Sequence, residues 1–287
     1  MAVAHHYTRY SKEETDRYAD VYNHKIHYND AGQGPALFCF HGGGPGSNAW
    51  DNTKHNLDDL AEHFRCIIMD MPGYGLSDKD VKRGDEPLDI FCAKIILGLM
   101  DHLGIEKAHL YGSSQFSPCC VRFGVEHPER TGKIILQASG IARGASYFTP
   151  GPTEGGKMLG VTAANPTREN MAKLMSEFIP RKEYCTDEMI DARLAAALIP
   201  GHLEGRAKMP AASNSNLMGI VNQLKAPTLV VWGHHDRVVP WEGALSALAL
   251  IPDVRIHIWG GGVGHFVEYE KRDEFNRLVI GFLTLDE

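Results

Sequence analysis

The sequence predicts an α/β protein, a mostly parallel, doubly wound sheet with a helical insertion. Two observations carry this. Short, continuously apolar runs recur along the 287 residues, each ending at or near a glycine or aspartate, and helix-length amphipathic stretches separate them. The alternation breaks between residues 141 and 224, where only helical patterns remain, punctuated by proline and glycine.

The apolar runs are, in order, Ala36–Phe40, Cys66–Met69, Ala108–Tyr111, Lys133–Leu136, Thr228–Trp232 and Val254–Trp259. Runs without polar alternation suit strands covered by helices on both faces. Pro87–Leu103 and Trp241–Leu250 read as helices of the core, and Thr167–Phe178 and Thr186–Leu198 as helices of the insertion. The expected division is a core domain over 1–140, a helical lid over 141–224 that covers the sheet's C-terminal edge, and the rest of the core over 225–287. Residues 1–20 are polar and charged and read as an arm.

Apolar residues make up 43% of the chain, enough to bury a large core. The net charge of −7 argues against non-specific binding to nucleic acid or to an anionic membrane surface. No apolar run approaches a membrane span, and the N-terminal segment has no apolar stretch of the kind that directs secretion. The six cysteines form neither a CxxC pair nor a metal-ligand spacing, so a reduced, cytoplasmic protein without metal or cofactor is expected. The partner expected is a small molecule. The assembly state stays open, a homo-oligomer included.

Four motifs carry chemistry, each just past an apolar run. His41-Gly42-Gly43-Gly44-Pro45-Gly46 is a loop whose backbone can approach a ligand, with the Gly43 N–H as one donor of an oxyanion hole. Gly112-Ser113-Ser114-Gln115-Phe116 reads as a strand–turn–helix elbow that projects the Ser114 hydroxyl, with the Gln115 N–H as the second donor. Asp236 lies past Thr228–Trp232, and His265 past Val254–Trp259. A serine needs a base, and the base needs a carboxylate to fix its tautomer. The order Ser114, Asp236, His265 is that of the α/β-hydrolase fold. Other histidines have bland readings: His109 and His257 as packed strand residues, His234 and His235 as turn residues. Phe116 breaks the elbow pattern, because strand and helix normally approach too closely there for a large side chain.

These motifs resemble one family, the α/β-hydrolases that cleave carbon–carbon bonds in meta-ring-fission products of aromatic degradation. The segment His41–Asn52, HGGGPGSNAWDN, is similar to the family's glycine loop, and Asp273–Ile280 to its last helix. The elbow aligns without gaps to Gly-Asn-Ser-Met-Gly-Gly. The resemblance implies that Arg193 binds the substrate's carboxylate and 2-oxo end, that Asn52 is an active-site residue, and that Gly42, Ser113 and Phe266 also touch substrate. This chain departs from the family with Ser113 for Asn, Gln115 for Met, Phe116 and Ser117 for two glycines, and Phe266 for Trp. Three of these departures surround the nucleophile, so they bear on substrate and bond rather than on fold or triad.

The expected activity is therefore serine-type hydrolysis of a carbon–carbon bond in a vinylogous diketone. The same triad also suits an esterase, thioesterase or lactonase. A lyase, a cofactor-free oxygenase and a non-catalytic receptor are further uses of the scaffold, which by itself does not choose among them.

Overall fold

The computed structural model describes residues 8–139, 141, 149 and 151–285. The chain starts with α1 (Lys12–Thr15), β1 (Asp16–Val21), β2 (His24–Ala31) and β3 (Ala36–Phe40). After α2 (Ala49–Thr53) and α3 (Leu57–Ala61) come β4 (Arg65–Met69), α4 (Leu88–His102), β5 (Ala108–Ser113), α5 (Ser117–Glu126) and β6 (Thr131–Gln137). Then follow α6 (Glu154–Ala164), α7 (Arg168–Phe178), α8 (Asp187–Ala197) and α9 (His202–Ala207). The chain returns to the sheet through β7 (Thr228–Gly233), α10 (Gly243–Leu250), β8 (Val254–Trp259), α11 (Val267–Glu270) and α12 (Arg272–Thr284).

One eight-stranded sheet results, ordered β1-β2-β4-β3-β5-β6-β7-β8. Pairing is parallel from β4 to β8 and antiparallel between β1 and β2 and between β2 and β4. All six apolar runs form strands. The central ones are buried along their whole length, as at β3 and β7, because helices cover both sheet faces. Two hydrophobic clusters mark those faces. One holds Phe38, Phe40 and Trp232 against α4 and α5, the other Leu37, Cys39 and Ile68 against α12.

The arm reading of residues 1–20 is corrected: residues 1–7 lie outside the described residues, but Asp16–Val21 is an edge strand of the sheet. The apolar test misses β1 and β2 because β2 buries polar side chains. His27 Nδ1 meets Asp70 Oδ2 at 2.7 Å and its Nε2 meets Asp16 Oδ1 at 2.9 Å, while Asn29 Nδ2 donates to the same Asp16 oxygen. Asp70 also accepts the Ala49 and Leu76 N–H groups, and these partners hold its carboxyl far below the usual range despite burial. The network ties the edge strands to the start of α2. A second correction concerns His257, which is exposed on β8, the other edge strand, and packs on the Trp259 ring at 4.2 Å.

Between β6 and β7 the described residues contain helices and no strand; residues 140, 142–148 and 150 lie outside them. A separate apolar cluster, including Met171, Leu174, Met175, Phe178 and Ile190, joins α7 to α8. Among the described residues, no helix is long and apolar enough to cross a membrane.

Candidate active site

Ser114 follows β5 directly, with φ at +49°, in the left-handed region that non-glycine residues seldom adopt. The turn Ser114–Phe116 runs straight into α5. Strand and helix approach most closely at Gly112, where a Cβ would stand 2.7 Å from Ser117 Cα and 2.6 Å from Cys120 Sγ. Crowding therefore falls on positions 112 and 117, which are small, and not on 116. The Phe116 ring turns away into a pocket between His41 and Tyr74, with centroids 5.1 and 5.4 Å apart and both pairs edge-on. His41 is held neutral there by burial, its Nε2 accepting the Met71 N–H and its Nδ1 donating to the Gly42 carbonyl.

The loops after β7 and β8 bring Asp236 and His265 together. A Cβ on Gly233 would stand 2.0 Å from the Gly264 carbonyl oxygen, so only glycine allows this approach, and the His235 N–H donates to the Val263 carbonyl beside it. Asp236 Oδ1 accepts the Val238 and Val239 N–H groups, and Oδ2 accepts Trp232 Nε1. The remaining partner is His265 Nδ1, 2.7 Å from Oδ2. A carboxylate with three other donors fixes the proton on Nδ1 and leaves Nε2 as the basic nitrogen. The His265 ring stacks on Phe178 of α7 at 5.2 Å, and its backbone N–H donates to the Phe178 carbonyl. Helix α7 thus shapes the histidine's surroundings.

Ser114, Gly43 and Gln115 line one cavity of about 420 Å³, together with Leu159, Phe178 and Val238. The Gln115 side chain lies against Gly43, and its Nε2 donates to Tyr74 Oη and to the Met209 carbonyl just past α9. Gly42 faces Ser114, a Cβ there standing 3.4 Å from Ser114 Cβ. Asn52, Arg193 and Phe266 line a neighbouring cavity of about 320 Å³. Arg193 connects the two: its Nη2 donates to the Gly43 carbonyl at 3.2 Å, and its guanidinium lies over the Phe178 and Phe266 rings. Its Nε is buried without a partner. Burial lowers its pKa to about 10, so it stays cationic at neutral pH. Ser113, expected against substrate, is corrected: it is wholly buried, its Oγ has no partner, and it lines neither cavity.

A model of the alpha/beta hydrolase fold matches residues 35–168. A Burkholderia cepacia protein named 2-hydroxy-6-oxo-6-phenylhexa-2,4-dienoate hydrolase is 39% identical over 91% of this chain and 92% of its own. The chain belongs to the meta-cleavage product hydrolases. A second member of the family, the 2-hydroxy-6-oxononadienedioate/2-hydroxy-6-oxononatrienedioate hydrolase of Comamonas testosteroni, is 38% identical over 91% of this chain and 92% of its own. The solved meta-cleavage product hydrolase of Pseudomonas fluorescens IP01, complexed with acetates, superposes with a TM-score of 0.82 at 28% identity, covering 94% of this chain and 98% of that one.

In this meta-cleavage product hydrolase, sequence reasoning missed the groups that brace the site. Glu268 Oε1 accepts Asn52 Nδ2, whose Oδ1 lies 3.5 Å from the Gly42 N–H. Glu268 Oε2 accepts Gln137 Nε2, which also donates to the His265 carbonyl. One buried carboxyl thus ties the glycine loop to the histidine loop. Burial raises its pKa to about 8 against the pull of both amides. Nothing in the sequence marks Glu268, because its role depends on α11 packing beside α2.

Proposed function

We propose that this chain hydrolyses the carbon–carbon bond beside the 6-oxo carbonyl of a 2-hydroxy-6-oxohexa-2,4-dienoate, with Ser114, His265 and Asp236 as the triad. The observation that carries the reading is the Asp236–His265 pair at 2.7 Å together with a strained elbow serine in a cavity bordered by the Arg193-tethered glycine loop. The guanidinium binds the substrate's carboxylate and 2-oxo end, and stabilises the keto tautomer formed when the enol proton leaves oxygen and carbon is protonated.

His265 Nε2 then takes the Ser114 proton as Oγ attacks the 6-oxo carbon. The oxyanion accepts the Gly43 and Gln115 N–H groups at the start of the elbow helix. Collapse breaks the carbon–carbon bond. The electron pair passes through the conjugated chain to the 2-oxo oxygen, which gains a proton while His265 gives up the one taken from Ser114, and a 2-hydroxydienoate leaves. Water, deprotonated by His265, opens the Ser114 ester and releases the second acid. The test is kcat/KM for such a dienoate beside a panel of simple p-nitrophenyl esters. Preference for the dienoate is expected; turnover of the esters alone assigns the triad to ester hydrolysis.

A further inference from the structure

The Ser114 cavity contains a second guanidinium with no assigned role. Arg206, on α9, lines that cavity with Asn214. Its Nε is buried without a partner, and among the described residues no carboxylate pairs with its side chain. Other partly buried arginines do find one, as Arg122 with Asp89 and Arg65 with Asp30. Arg193 and His202 lie within the electrostatic reach of Arg206. Burial is the main cause, and Arg206 adds to it, in depressing the pKa of Arg193 and that of His202, whose imidazole is pushed down to about 4. Tyr74, whose hydroxyl also lies within the electrostatic reach of Arg206, already accepts Gln115 Nε2. Much of the rest of the wall is apolar, with Leu159, Phe178, Val238 and Val239.

A half-buried cation whose Nε is unpartnered, set beside another cation in a largely apolar cavity, gains from a ligand that brings the countercharge. An anion at Arg193 leaves Arg206 uncompensated. We infer that Arg206 binds an anionic group at the far end of the 6-substituent, so that the substrate is a dianion with one carboxylate at Arg193 and a second at Arg206. Cleavage adds water's hydroxyl to the 6-oxo carbon, and the acid released from that side is a dicarboxylic acid. This rests on the function proposed above and selects a 6-chain ending in carboxylate over a neutral aryl group.

The test compares wild type, Arg206→Gln and Arg206→Lys on three dienoates: one with a 6-chain ending in carboxylate, its ester at that end, and a 6-phenyl compound. A hydrogen-bonded charge contributes about 1.5–3 kcal/mol, or about 10- to 100-fold. Wild type is expected to favour the carboxylate over its ester by that factor, largely in KM. The ratio should collapse toward unity in Arg206→Gln and recover in part in Arg206→Lys. A wild type that handles carboxylate and ester equally, or an Arg206→Gln that loses both alike, overturns the assignment while leaving the proposed reaction standing. If wild type cleaves none of the three, the proposed reaction falls and this inference with it.

Discussion

Replacing Phe116 by glycine tests whether the elbow accommodates the ring or is strained by it. The side chain is 1% exposed and sits edge-on to Tyr74 at 5.4 Å and to His41 at 5.1 Å. Truncating a buried phenylalanine to alanine costs about 3–5 kcal/mol through lost burial and the cavity left behind. Going on to glycine adds up to about 1 kcal/mol of backbone freedom at the start of α5. The family's small residue is not needed at this position, because the close approach is made by Gly112 and Ser117. A loss of about 3–6 kcal/mol corresponds to a melting temperature about 6–24 °C lower for a chain of this size. Turnover should fall as well, since Phe116 supports the Tyr74 ring whose hydroxyl accepts the Gln115 side chain. Thermal unfolding and dienoate turnover measured on one preparation provide the check. A Phe116→Gly variant that is both more stable and faster would refute the argument and show that the ring strains Ser114.

Three further outcomes follow from the same geometry. Ser114→Ala should lower turnover by about 10⁴–10⁶ while substrate still binds, measured by single-turnover absorbance and equilibrium titration; near-normal turnover would remove Ser114 from the chemistry. Arg193→Gln should weaken dienoate turnover about 10- to 100-fold, as expected for a charge-assisted contact, and that of a neutral ester far less; equal losses would make Arg193 a structural tether of the Gly43 carbonyl. Glu268 ionises near pH 4.5 when unfolded but only at about 8 when folded, so its contribution to stability is complete below the lower value and is lost as pH rises through the upper. Glu268→Gln should therefore flatten the melting temperature's dependence on pH across that interval, and an unchanged slope would mean that Glu268 does not titrate there.

The sequence was legible where one physical rule dominates. Strands β3 to β7 are apolar along most of their length because both faces are covered, and the residues that end them point to the chemistry. β1 and β2 were not legible because His27, Asn29 and Asp16 exchange hydrogen bonds where an apolar pattern is normally found. Asp236 and His265 could be chosen by order alone, and their contact depends on Gly233 meeting Gly264. Ser113 was misread because adjacency to a nucleophile in sequence does not say which way a side chain turns at a sharp elbow. Arg206 escaped notice for a different reason. An arginine in a short helix is usually a surface residue, and only the packing of α9 beside the elbow brings it into the Ser114 cavity.

Product identification in heavy-oxygen water tests the central claim most directly. Wild-type protein, given a 2-hydroxy-6-oxohexa-2,4-dienoate, should yield a 2-hydroxydienoate and a second acid, with solvent oxygen incorporated into the carboxyl of the second acid, and Ser114→Ala should yield neither. Solvent oxygen found only in an intact, isomerised substrate, or full cleavage by Ser114→Ala, would contradict carbon–carbon hydrolysis through an acylated Ser114.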